Sequence, residues 1–295
     1  MAITVKRLHL LFAAEIGGID LTRPLDAATF SEIEDALDEH TILVFHDQRL
    51  DDEQQLAFSR RFGTLEMTTD NVANSGRRSE VADISNVDAD GKLLPTDSKA
   101  MKYRDANEMW HSDSSFKTVP AKASLLSARE MPPAQGDTEV ASMRAAYAAL
   151  SAETRVAIEN LVAIHSYTYS RGLVDPNLFT PEQAAKVPPV RQRLVRVNPK
   201  NGRKALYVGS HASHVEGMPV EESRRMLQEL LANATRPEFI YRHVWRQFDL
   251  VIWDNRAAVH RGCGWDKTRY RRVMRRTTVA GERSSLDEII ALDTH

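Results

Sequence analysis

The chain has 295 residues, 42% of them hydrophobic and 27% charged, and its formal net charge is −2 at pH 7. That is the make-up of an ordinary soluble globular protein of one large or two average domains, and the near-balanced charge excludes a general nucleic-acid binder held by phosphate neutralisation. A single cysteine, Cys263, excludes an intramolecular disulfide and any Cys-rich zinc module, so a reducing cytoplasm is the expected location.

The N-terminal run "LHLLFAA", ended by Glu15, is too short to span a membrane and reads as a strand entering the fold. Phe30, Ile33 and Leu37 recur at helical spacing across residues 28–40. "TILVFHD" follows as a short buried strand. A second helix is expected across "DDEQQLAFSRRFG", opened by Asp51 or Asp52 and closed by Gly63. Residues 67–107 read as loop with one short strand at Val81–Ile84.

From residue 121 the texture changes. "AKASLLSA" and "GDTEVASM" are expected strands, and "MRAAYAALSAETRVAIENL" an expected helix. Residues 170–190 read as loop. "RLVRVNP" and "KALYVG" flank Asn201-Gly202 as a hairpin, and residues 219–235 form an amphipathic helix with Pro219 in its first turn. Strands are expected again in "EFIYRHVWR", "DLVIWDN", "AAVHRG" and "RYRRVMRRTTVAG". This order does not alternate as a doubly wound sheet does. It predicts a mainly β fold, an antiparallel β-sandwich or a jelly roll (double-stranded β-helix), with helices packed outside. One domain over 1–295 is expected, with loop insertions near 67–107 and 166–190.

"EMWHSDSSF" places His111 two residues before Asp113. On an extended chain the two face one side. His260, the one polar ring in a largely apolar strand, would complete two histidines and one carboxylate, the donor set that leaves positions open on a non-haem iron. Spacing alone favours a hydrogen-bonded structural histidine. A competing cluster, His211, His214 and Glu216 in "HASHVEG", could serve a zinc hydrolase, but Gly209, Gly217 and Pro219 bracket it as a loop, substrate-side or structural.

The last strand supplies the missing weight. Alternation puts Arg272, Met274 and Arg276 on one face and Arg271, Val273 and Arg275 on the other. Buried guanidiniums demand anions, and arginine suits bidentate carboxylate binding. A metal triad with an inward arginine pair describes a site for a metal, a dicarboxylate and a second anion.

In "WHSDSSF", "GDTEVASM", "HASHVEGMPVEES", "WDNRAAVHRG" and "RRVMRRTTVAG" the sequence resembles the taurine dioxygenase/TfdA family of Fe(II)- and 2-oxoglutarate-dependent dioxygenases, especially the branch acting on 2,4-dichlorophenoxyacetate. The matching stretches cover nearly the whole chain. The resemblance implies iron ligation by His111, Asp113 and His260. It implies that Thr138 and Arg272 hold the distal carboxylate of 2-oxoglutarate, that Arg276 holds the anionic group of the prime substrate, that Asn107 stands on the substrate side and that Trp253 shapes the pocket wall.

The activity so implied is hydroxylation of an aryloxyalkanoate beside its ether oxygen, consuming O2 and giving a phenol plus glyoxylate or pyruvate, with succinate and CO2. Ascorbate stimulation, a small anionic aryloxy acid as substrate and a homo-oligomer are expected; nucleic-acid and membrane partners are not. A sulfonate dioxygenase of the taurine type and a non-redox metal-binding jelly roll are the alternatives. Two departures stand out. Relatives often carry histidine where this chain has Asn198, and the segment from His260 to Arg272 is one residue longer than usual, so counting from His260 would select Arg271 and Arg275 instead.

Overall fold

A computed structural model of the chain describes residues 3–68 and 80–288. Its largest sheet has seven strands in the spatial order β1 (Thr4–Arg7), β2 (Ala14–Gly17), β3 (Ile42–Phe45), β13 (Leu250–Asp254), β5 (Ala121–Glu130), β15 (Val273–Ala280) and β4 (Ala82–Asp83). Within it β2 and β3 run parallel and the other neighbours antiparallel. A three-stranded antiparallel sheet, β12 (Ile240–His243), β6 (Thr138–Ser142) and β14 (Ala258–Gly262), lies over it. The expected hairpin forms as β9 (Val195–Val197) and β10 (Lys204–Leu206), with Lys204 opposite Val197.

The position of the core follows from which faces are apolar. Val44, Leu126, Val251, Trp253 and Met274 of the large sheet share one buried cluster with Val140 and Ala258 of the small sheet. The two sheets are therefore packed face to face. The other face of the large sheet is covered by helix α1 (Ala27–His40) through Phe30, Ile33 and Leu37, and by α2 (Asp52–Ser59) through Leu56 and Phe58. Both helices start where the sequence says they should. Asp26 accepts from the amide of Thr29 at 2.7 Å, and Asp51 and Gln54 form a reciprocal capping box.

Several expected elements differ. "LHLLFAA" is not a strand but a bend between β1 and β2, with Leu10 91% exposed; only Phe12, Ala13 and Ala14 of the run are buried, too few to bind it into the sheet. The long helix expected after residue 143 is two, α4 (Met143–Ala148) and α5 (Ala152–Ile158). Ser151 accepts from the amide of Thr154 at 3.1 Å and so caps a new helix inside the apolar periodicity.

The expected loop at 67–107 contains α3 (Lys99–Asp105), capped by Ser98, while its residues 69–79 lie outside the described ones. The region 166–190 contains α6 (Tyr167–Gly172) and α7 (Pro181–Ala185), the latter opened by a Thr180/Gln183 capping box. "HASHVEG" is not a loop: Ala212–Val215 is strand β11, joined to β7 (Val162–His165) and β8 (Val190–Arg193). Helix α8 (Val220–Ala234) packs over β11 and the hairpin region through Leu227 and Leu230. The architecture is thus mixed α/β with several sheets rather than mainly β. No helix among the described residues is long and apolar enough to cross a membrane.

Candidate metal centre

His111, Asp113 and His260 each bring a ligand atom within 4.8 Å of the others, and all three are buried. Among the described residues no other group of three such side chains converges in this way. The convergence has a backbone cause. His111 and His260 are directly opposed, exchanging amide-to-carbonyl bonds of 3.0 and 2.8 Å. Opposed residues of an antiparallel pair point to one face, and the two rings lie 4.2 Å apart. On the other side of this segment Gly209 lets its own chain pack closely, since a Cβ there would meet the Trp110 carbonyl at 3.1 Å and the His111 Cα at 3.3 Å.

Asp113 reaches the same side differently from expectation. It opens a turn rather than continuing a strand, and the next residue, Ser114, takes φ 54°. Asn255, fully buried just past β13, holds that turn. Its Oδ1 accepts from the Asp113 amide at 3.1 Å and from the Trp253 indole at 3.1 Å. Its Nδ2 donates to Ser124 Oγ at 2.9 Å, and Ser124 donates to Asp113 Oδ2 at 2.7 Å. The remaining carboxylate oxygen, Oδ1, accepts from Arg276 Nη1 at 2.5 Å.

Electrostatics prepare the three groups for a cation. Burial lowers the pKa of His111 and takes that of His260 well below the ordinary histidine value, so both imidazoles are neutral. His111 Nδ1 lies 2.8 Å from the Met109 carbonyl. A carbonyl can only accept, so Nδ1 carries the proton and Nε2 keeps its lone pair toward Asp113. Burial opposes ionisation of Asp113, but the Arg276 guanidinium and the hydrogen bond from Ser124 outweigh it and hold the carboxyl well below its usual range. Two neutral imidazoles and an ionised carboxylate are the donor set of a metal site with open positions.

Two cavities flank the triad. One contains Thr138, Trp253, His260 and Arg272. Arg272 is 5% exposed, donates through Nε to the Gly136 carbonyl at 3.0 Å and lies 5.2 Å over the Trp265 ring. Among the described residues it has no carboxylate partner, and burial lowers its pKa to about 10. Thr138 Oγ1 accepts from the Trp245 indole at 2.9 Å. The other cavity, of about 120 Å³, is walled by Tyr103, Phe116, Tyr167, Arg171 and His211. Arg276, Asn107 and His111 line both cavities.

The alternative pair lies elsewhere. Arg271 meets Glu130 at 3.1 Å on the surface, and Arg275 is buried on Asp83 at 2.8 Å. Asn198 donates to Asp38 at 3.0 Å and lines neither cavity beside the triad. Of the competing cluster, His211 lines the larger cavity, while Glu216 is paired with Arg191 at 2.6 Å on the surface. Ser170 Oγ donates to the Tyr167 carbonyl and so must accept from His211 Nδ1 at 2.8 Å, which leaves His211 Nε2 an acceptor. Sequence reasoning missed Asn255, although it sits within "WDN", and Arg171, which falls in a stretch read as loop.

A family model described as taurine catabolism dioxygenase TauD, TfdA family matches residues 4–278. The sequence is 44% identical over 282 residues to the alpha-ketoglutarate-dependent 2,4-dichlorophenoxyacetate dioxygenase of Cupriavidus pinatubonensis, covering 95% of this chain and 98% of that protein. It is 37% identical over 292 residues to the (S)-phenoxypropionate/alpha-ketoglutarate-dioxygenase of Sphingobium herbicidovorans, covering 96% and 97%. The crystal structure of AAD-2 in complex with Mn(II) and N-oxalylglycine matches with a TM-score of 0.91 and 44% identity, over 98% of this chain and 100% of that one.

Proposed function

The chain belongs to the TauD, TfdA family and is an α-ketoglutarate-dependent dioxygenase with a His111–Asp113–His260 metal site, and from that premise we propose that it hydroxylates an aryloxyalkanoate next to the ether oxygen. The product falls apart to a phenol and glyoxylate, or pyruvate from a propionate, while 2-oxoglutarate becomes succinate and CO2. In this reading the metal is Fe(II), and the facing sheets form a jelly roll within one domain spanning 1–295. Bound iron supplies the oxidation chemistry with O2 and 2-oxoglutarate.

The chain's own residues bind, orient and exclude water. Arg272 and Thr138 hold the distal carboxylate of 2-oxoglutarate. The observation that carries this is a guanidinium 5% exposed, lining one cavity with the metal ligands His111 and His260, in no ion pair among the described residues, the nearby Asp137 being paired with Arg242 at 2.7 Å. A fixed planar fork in a dry cavity suits a bidentate carboxylate. Arg276 holds the anionic group of the aryloxy acid, its position set by its bond to Asp113. Tyr103, Phe116 and Tyr167 give the apolar wall that an aromatic ring needs. The similarity to 2,4-dichlorophenoxyacetate and phenoxypropionate dioxygenases supports the same substrate class.

The test is succinate release from Fe(II)-loaded protein with 2-oxoglutarate and ascorbate, with and without 2,4-dichlorophenoxyacetate, single enantiomers of phenoxypropionates, and taurine. Phenol formed in step with stimulated succinate release is the expected result. Stimulation by taurine alone would replace the aryloxy acid with a sulfonate.

A further inference from the structure

The larger cavity contains more positive charge than its own carboxylates neutralise. Each lining acid already has a cation: Asp113 has Arg276, Asp83 has Arg275, Glu66 has Lys117 at 2.6 Å and Glu80 has Arg60 at 2.7 Å. Arg171 has none among the described residues. It is 7% exposed, and its Nε is buried without a hydrogen-bond partner. What holds it is neutral. Nη2 donates to Asn107 Oδ1 at 3.2 Å, and the guanidinium lies 4.8 Å over the Tyr167 ring. An amide and an aromatic face orient a cation without cancelling its charge.

The same side chains set where an anion would sit. Arg171 stands on α6, opposite the Asn107 turn and next to His211, whose imidazole its charge helps to keep neutral. Arg276 lines the same cavity from β15, but one of its terminal amines is committed to Asp113. We propose that Arg171 is a second anion-binding residue of the substrate site, taking the carboxylate of the aryloxy acid together with Arg276 and selecting acids against neutral aryl ethers. Asn107 is then a positioning residue that acts through Arg171. This rests on the substrate-side assignment of the larger cavity made above.

The experiment is calorimetric titration of Mn(II)- and N-oxalylglycine-loaded protein, so that binding is read without turnover. Wild type, Arg171→Gln and Arg171→Lys are titrated with 2,4-dichlorophenoxyacetate, its neutral amide, phenoxypropionate and taurine. In Arg171→Gln the acid should bind ~30-fold or more weaker, the size expected when one partner of a buried charge pair is removed, with the amide unchanged. Arg171→Lys, which keeps the charge on the same helix, should recover part of the loss.

Parallel weakening of acid and amide would make Arg171 a packing group and overturn the proposal. Weaker N-oxalylglycine binding with aryloxy acid binding intact would also overturn it, by moving Arg171 to the co-substrate. If wild type binds only taurine, and Arg171→Gln loses it, the aryloxy acid reading fails while Arg171 stands as the anion receptor. If wild type binds no anion of the set, both fail.

Discussion

The two cavities that meet at His111 and Arg276 are built from different materials. The side with Thr138 and Arg272 takes Leu126, Thr138, Trp253, His260 and Arg276 from β5, β6, β13, β14 and β15, and Arg272, just before β15, is held through its backbone by bonds to Asn86 at 2.8 and 3.2 Å. The side with Tyr167, Arg171 and His211 takes Arg276 and Thr278 from β15 but draws mostly on α3, α6, the turn after Asp113 and the segments around 66–68 and 80–84. Connecting segments accept change more readily than the sheet they join. A group that every turnover requires belongs on the sheet side. A group that selects among substrates can be altered on the loop side at little cost to the fold.

The sharpest way to break this division is at the ligands both sides share. His111→Ala should abolish metal-dependent succinate release, at least ~100-fold, since even partners that merely orient ligands cost 10–100-fold. Metal content and turnover measured together check this. Asn255→Ala should come next. It leaves the Asp113 amide and the Trp253 indole without their acceptor and should weaken Mn(II) binding about 10–100-fold, read by metal titration, with aryloxy acid binding to the saturated protein little changed.

A smaller effect lies behind the site. His165 is buried with its ring stacked 5.4 Å from that of Tyr207, and burial outweighs a contact with the Tyr207 backbone and lowers its pKa from 6.5 to about 3. Between those values the unfolded chain binds a proton that the folded chain does not, so stability falls as pH drops below 6.5. His165 adds at most about 1.4 kcal/mol per pH unit to that slope. His165→Phe should flatten it in urea melts between pH 6.5 and 5 and leave 2-oxoglutarate affinity unchanged.

Much of the site was legible because its donors sit in short local motifs. "WHSDS" and a histidine in an apolar strand named the three ligands, and two-residue alternation named Arg272 and Arg276 as one face. The choice between that pair and Arg271/Arg275 was not legible. A register shift between Val273 and Met274 and the loop before it decide which arginines turn inward, and both faces turned out to bury one, Arg275 on Asp83. The pairing of His111 with His260 was invisible for the same reason, since long-range register leaves no local trace.

Among the helices, α1 and α8 were read from apolar periodicity, and α2 from Asp51 or Asp52 at its start and Gly63 at its end. Helix α3 and helix α6 are too short to show any, and Ser151 interrupts an apolar pattern that otherwise continues. Arg171 was missed because charge accounting needs the carboxylates placed in space first.

In the proposed function Arg272 and Arg276 divide two anions between two cavities. Titrating Mn(II)-loaded Arg272→Gln and Arg276→Gln with N-oxalylglycine, and then with 2,4-dichlorophenoxyacetate, tests it directly. The expected result is a crossover, with N-oxalylglycine lost ~30-fold or more in Arg272→Gln and retained in Arg276→Gln, and aryloxy acid weakened in Arg276→Gln. Loss of N-oxalylglycine in Arg276→Gln with retention in Arg272→Gln would overturn this assignment of the two arginines.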